Sequence, residues 1–263
     1  MQKTSDFPHL LRLIDDRSTA FRAAIASAPS LDVQVPTCPE WTLRDLAQHL
    51  GEGRRAWAAT VAAGPDATAK AAPQGDPAAP REREALLAWS AESSQQLLDA
   101  LREAGPDRAC WTWWAKSQSP QTCAAVARRQ LHEIAVHTYD AQLTVGAPQQ
   151  LPDEVALDCV EEFLLTICTT TVAWPYEPAV VDYHVTEGRS WRNWLSADGA
   201  RIARLPTPDP SAAGADASPA DASAQGSAHE MALALYGRVP LDSLKLDGNR
   251  ALFDQLVEWD PER

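Results

Sequence analysis

From Cys123 to Val145 the chain runs without a proline or a glycine, and Gly146 and Pro148 then stop it. An unbroken stretch of this kind, ended by the usual stop residues, predicts a long helix. Residues three and four apart share a helix face, so Glu133, His137 and Asp140 fall in one row with Arg129 a turn earlier. Ala127, Leu131, Ile134, Thr138, Ala141 and Val145 make the complementary, mostly apolar stripe. Two readings stand side by side. The polar row is the wet side of an amphipathic helix, or a carboxylate and an imidazole at the i, i+4 spacing grip one divalent cation with a third ligand from elsewhere.

The rest of the first half supplies partners for that helix. Leu10, Leu13, Ile14, Phe21 and Ile25 recur at near-helical spacing between Pro8 and Ala28. Pro36 and Pro39 hold the next segment extended, and Thr42 followed by Asp45 resembles a capping box that starts a second helix at Thr42. In it Leu43, Leu46, Ala47, Leu50, Trp57 and Val61 form the core face, with His49 at the margin beside Asp45, Gly53 and Ala56. His49 is either a core histidine satisfied by Asp45 or a group with room beside it for a ligand. A loop rich in Ala, Pro, Gly and Asp follows over Gly64–Pro80, then a third amphipathic helix over Arg83–Ala104. Trp111, Trp113 and Trp114 lie between the third and fourth helices, where indoles serve either loop packing or a pocket wall.

After Gly146 the pattern changes. A helix is expected over Pro152–Ala173, its acidic start suiting a helix N-terminus. Strands are expected over Val180–Val185, Ser190–Leu195 and Ala200–Leu205, the last two joined by a hairpin turn at Asp198-Gly199. Thr207–Ser227 reads as a loose loop holding at most a weak strand. Ala228–Tyr236 is helical, Leu241–Leu246 strand-like, and Arg250–Trp259 a closing helix. The expected architecture is mainly α, with a helical domain over residues 1–150 and a small α+β domain over residues 151–263.

Acidic residues number 36 against 23 basic ones, a formal charge of −13. That balance, without a long basic run, argues against nucleic acid and against anionic membrane surfaces as partners. No stretch has the roughly 18 consecutive apolar residues of a membrane helix, and Met1–Leu13 lacks the apolar core of a secretory signal, so the cytoplasm is expected. Five scattered cysteines with no C-x-x-C pair point to reduced, buried thiols.

Pro39-Glu40-Trp41-Thr42-Leu43-Arg44-Asp45-Leu46-Ala47-Gln48-His49-Leu50 resembles the P-x-W-[TS]-x-x-D-L-x-x-H-L signature of the mycothiol-dependent maleylpyruvate isomerase family, within the DinB-like metalloprotein superfamily. The stretch from Arg128 to Ala141 is similar to the family's second signature, although His137-Thr138-Tyr139-Asp140 replaces the common H-R-W-D. Tyr236-Gly237-Arg238-Val239-Pro240-Leu241-Asp242 with Asp247-Gly248-Asn249 resembles its C-terminal domain.

The resemblance implies a DinB-like four-helix bundle followed by the α+β unit. It places His49, Glu133 and His137 on the family's divalent-metal ligands, with zinc the usual ion, and Arg238 on an arginine implicated in the isomerase's activity. It further implies a small-molecule substrate and a low-molecular-weight thiol, mycothiol, as cosubstrate. Arg129 and Trp113 are assigned to the cosubstrate pocket, and Asp45 and Asp140 are candidates for orienting the imidazoles. Thiolate addition to an electrophilic alkene, followed by rotation and thiol loss, is cis–trans isomerisation; retention of the thiol is S-transfer. A metal-dependent hydrolase needing no thiol and a non-catalytic small-ligand binder remain as alternatives.

Overall fold

The computed structural model describes residues 6–67, 78–206 and 219–259, so parts of the loops expected over Gly64–Pro80 and Thr207–Ser227 lie outside the described residues. The chain divides into two compact units, Met1–Ala115 with Pro120–Leu151, and Lys116–Ser119 with Pro152–Arg263.

The first unit is a four-helix bundle of α1 (Phe7–Ser27), α2 (Leu43–Ala63), α3 (Arg83–Ala104) and α4 (Cys123–Thr144). Helix α1 packs on α4 and α3, and α2 packs on α3 and α4. Local chemistry sets the ends. Asp6 accepts from the His9 N–H at the start of α1, and Thr122 accepts from the Ala125 N–H at the start of α4. Phe21, Ile25, Leu43, Leu46, Leu86, Leu97, Leu131 and Ile134 are almost wholly buried along the bundle axis. Each such side chain contributes roughly 1.5–3 kcal/mol by leaving water.

Polar groups also enter this core. The buried Arg54 guanidinium donates to the Ser18 hydroxyl at 2.9 Å and to that of Ser94, while Arg55 donates to Ser93 at 2.8 Å and lies 5.2 Å above the Trp89 ring. Where α2 meets α3 the backbones come close. A Cβ on Gly51 would sit 1.9 Å from a Trp89 ring carbon, so only glycine fits.

Between α1 and α2 the proline-bearing segment, expected to be merely extended, forms a two-stranded hairpin of β1 (Gln34–Val35) and β2 (Cys38–Thr42). The Gln34 side chain donates to the Pro39 carbonyl and, at 3.2 Å, to the Trp41 carbonyl, tying the two arms together. The hairpin runs straight into α2. Thr42 accepts from the Asp45 N–H and its own N–H donates to the Asp45 carboxylate, so both halves of the capping box form.

The second unit holds α5 (Asp153–Thr166), β3 (Ala179–Val185), β4 (Arg189–Ser196), β5 (Gly199–Arg204), β6 (Ala222–Gly226), α6 (Ala228–Leu235), β7 (Lys245–Gly248) and α7 (Ala251–Glu258). The sheet order is β5-β4-β3-β6-β7, with β3 and β6 parallel and the other pairs antiparallel. The expected β4–β5 hairpin forms, and Gly199 adopts φ 105°, a value side chains disfavour. Tyr183, Trp191, Leu195 and Ile202 line the buried sheet face, and α5 packs against α6. Lys116–Ser119 belongs here too, with the Gln118 side chain bonded to both the N–H and the carbonyl of Ile202.

Two expectations are corrected. Helix α5 stops at Thr166 rather than Ala173, because Thr170 pairs with Ala200 across a β-bridge and the β-branched run beyond Ile167 suits that extended path. The strand expected at Leu241 begins at Lys245, after a single 3-10 turn over Leu241–Ser243. The weak strand allowed for within Thr207–Ser227 is β6, at the end of that segment. Among the described residues no helix is long and apolar enough to cross a membrane.

Candidate metal centre

The long breaker-free helix α4 carries Glu133 and His137 one turn apart, and α2 carries His49 to meet them. His49 Nε2 lies 3.2 Å from Glu133 Oε1, and His137 Nε2 lies 3.4 Å from the same oxygen. One nitrogen or oxygen from each of the three residues falls within 4.8 Å of the others. The imidazoles meet edge to face at a centroid separation of 5.3 Å. The polar row of α4 is therefore turned inward at its centre. Arg129 stands a turn before Glu133 and donates to its other oxygen at 3.4 Å.

Electrostatics favour an ionised carboxylate. Burial pushes the Glu133 carboxyl up, but hydrogen bonds from His137 and His49, with the charges of His137 and Arg129, outweigh it and hold the group well below the ordinary range. Burial likewise pulls His137 down, and its bonds to Asp140 and Glu133 more than reverse that, so its pKa is raised.

Asp140 is fully buried and accepts a hydrogen bond from His137 Nδ1 at 2.8 Å. A carboxylate only accepts, so Nδ1 carries hydrogen and Nε2 is the nitrogen turned toward Glu133. Asp45, the other candidate for orienting an imidazole, has a different job: its carboxylate accepts from the Thr42 N–H at 3.0 Å and hydroxyl at 2.7 Å in the α2 cap.

Two imidazoles and one carboxylate are a donor set suited to a borderline divalent ion such as zinc, with a coordination position left for water or substrate. The residues present fit such an ion. Cys38, His137 and Asp140 form a second group close enough to share a cation. There Asp140 is already taken by a hydroxyl and an imidazole N–H, so an ion would have to break both bonds. In the first set an ion would replace only the contacts its three ligands make with one another, and Asp140 would keep its hold on His137.

His49 and Glu133 also line a cavity of about 160 Å³, whose other walls are Leu50, Gly53, Trp57, Trp113, Arg129 and Gln130. Of the three indoles that stood out in the sequence, Trp113 is part-exposed and lines the cavity, while Trp114 is buried and donates to the Pro120 carbonyl at 3.2 Å. Gln130 and Trp57 join the site without a mark in the sequence pattern. Gln130 sits three residues before Glu133, a spacing that puts the two on one helix face. Trp57 falls on the core face of its helix. Arg238 belongs to the second unit, where its guanidinium donates to the Tyr236 carbonyl at 2.8 Å.

Comparison with known proteins gives a consistent answer. Two solved structures of the mycothiol-dependent maleylpyruvate isomerase, one of them a histidine-to-alanine mutant, superpose with TM-scores of 0.58 and 0.57 over 92% of each chain at 13% identity. At that identity the likeness is one of fold. Among curated proteins none matches the sequence significantly. The sequence profile of the mycothiol maleylpyruvate isomerase N-terminal domain matches residues 11–142, and that of the MDMPI C-terminal domain matches residues 154–255. The chain belongs to the mycothiol maleylpyruvate isomerase family, in both of its domains.

Proposed function

We propose that this protein is a thiol-dependent isomerase that uses mycothiol and a divalent cation, zinc first, to interconvert the cis and trans forms of a small electrophilic alkene of the maleylpyruvate class. The observation that carries the reading is the convergence of His49 Nε2 and His137 Nε2 on one Glu133 oxygen at 3.2 and 3.4 Å, in a chain of this family.

When bound, the cation supplies the positive charge that keeps a thiol deprotonated at neutral pH, and the thiolate is the nucleophile. The chain's own residues prepare the place. Asp140 fixes the tautomer and ring angle of His137, and Arg129 holds the second oxygen of Glu133 so that the first stays turned toward the imidazoles. Trp57 and Trp113 give the cavity apolar walls against which the carbon skeleton of the alkene packs. Gln130 adds an amide that can bond a substrate or thiol oxygen. Arg238 is assigned, on the resemblance of its Gly-Arg-x-Pro motif, to binding a substrate carboxylate, a task its planar fork suits.

The test is metal analysis of the purified protein and turnover of maleylpyruvate with and without mycothiol. Expected are one divalent ion per chain, turnover only with the thiol, and in His49→Ala loss of the ion together with a fall in rate larger than the roughly 100-fold that loss of an outer partner costs. Equal turnover in thiol-free buffer would refute the reading. A thioether product in place of the trans isomer would reassign the site to S-transfer.

A further inference from the structure

The hairpin of β1 and β2 lies outside the bundle, yet it touches both histidines of the centre. The Thr37 hydroxyl donates to Asp140 Oδ1 at 2.6 Å, bridging 103 positions of sequence, and Asp140 Oδ2 accepts from His137 Nδ1. The Cys38 thiol approaches the same Oδ2 at 3.9 Å. Farther along β2 the Trp41 ring lies over His49, with centroids 4.6 Å apart and planes 38° apart, and reaches His137 at 6.1 Å. The next residue, Thr42, is the cap of the helix that carries His49.

We infer that this hairpin is the element that sets the two imidazoles for metal binding, with Thr37 acting on His137 through Asp140 and Trp41 acting on His49 directly. The inference rests on the metal centre proposed above.

The physical case is one of degrees of freedom. Asp140 is fully buried, and a buried carboxylate is held in one orientation by the donors that meet its oxygens. Thr37 fills Oδ1, so the carboxylate plane is fixed and Oδ2 stays in line with His137 Nδ1. His49 has a different problem. Its side chain is 42% exposed, and a hydrogen bond to Glu133 at one ring nitrogen leaves the ring able to tip about that contact, which the indole face beside it opposes. Gln34 fastens the Trp41 carbonyl across the hairpin, which keeps that indole in place. These are positioning residues. None of them offers the ion a donor.

The experiment compares zinc dissociation constants, by chelator competition, of the full chain with those of its Thr37→Val, Thr37→Ser, Trp41→Leu and His49→Ala variants. The visible spectrum of the cobalt(II)-loaded forms is recorded as a second readout. Thr37→Val is expected to weaken zinc by roughly 10- to 100-fold, the usual cost of losing an outer-shell partner, and to shift the cobalt bands. Thr37→Ser keeps the hydroxyl and is expected to bind within about threefold of the wild type, which a purely steric role for Thr37 would not produce. Trp41→Leu is expected to weaken zinc about tenfold with His137 still in place. Wild-type affinity and an unchanged cobalt spectrum in both Thr37→Val and Trp41→Leu would overturn the inference while leaving the centre intact. A wild type that takes up no zinc, indistinguishable from His49→Ala, would instead overturn the centre itself.

Discussion

Two glycines two residues apart on α2 mark two very different sides of one helix. Gly51 faces α3 at a point where a Cβ would land 1.9 Å from a Trp89 ring carbon, whereas a Cβ on Gly53 would meet nothing within 4 Å. The neighbours repeat the contrast. On the sealed side Arg54 and Arg55 are buried and bonded to the hydroxyls of Ser18, Ser94 and Ser93. On the open side His49 and Glu133 sit at the edge of a cavity with Gly53 in its wall. Both sides bury polar groups, so polarity inside the bundle does not by itself mark a site. What separates them is how the groups are satisfied: serines answer the arginines, while the histidines converge on one carboxylate oxygen.

The sharpest way to break this contrast is Gly51→Ala. Its methyl must push into an aromatic ring packed in the α2–α3 contact, and overpacking of that kind costs about 1–3 kcal/mol; urea unfolding at wild-type stability would show that Trp89 yields freely. Gly53→Ala should do the opposite, raising stability by about 0.5–1 kcal/mol through helix propensity. Its methyl would also enter the cavity, so the KM for the thiol or the alkene should rise, and an unchanged KM for both would mean that the ligands do not use this wall.

The smallest effect belongs to the cap beneath both glycines. The Thr42 hydroxyl and backbone N–H hold the Asp45 carboxyl below its usual pKa. A depressed folded-state pKa stabilises above the unfolded value of about 4 and loses that contribution as pH falls through the folded value. Asp45→Asn should therefore lower stability by about 0.5 kcal/mol at pH 7, a modest figure because the group is part-exposed. The two proteins should converge below about pH 3. Thermal scans at both pH values check this, and a gap that persists in acid would assign the effect to something other than the charged cap.

The bundle was legible because helices announce themselves locally. Breakers, caps and a repeat near 3.6 residues located α1 to α4 closely, and the i, i+4 relation of Glu133 and His137 needs nothing beyond the helix they share. The hairpin was not legible, because two prolines in so short a segment hide any strand alternation. Strand β6 was hidden by its composition: Ala222-Ser223-Ala224-Gln225-Gly226 has no β-branched or aromatic residue, and it forms because β3 and β7 flank it. The contact of Thr37 with Asp140 joins residues far apart in sequence. No periodicity reports such a pairing, so it becomes visible only in three dimensions.

The path of the chain between α3 and α4 has a practical side for anyone who wishes to recombine this protein. Because Lys116–Ser119 belongs to the second unit while both its flanks belong to the first, no single splice point separates the two. A cut after Leu151 would leave Gln118 on the N-terminal piece, parted from Ile202 on strand β5, whose backbone N–H and carbonyl its side chain bonds. Chimeras that exchange the C-terminal half should therefore transplant this tetrapeptide as well.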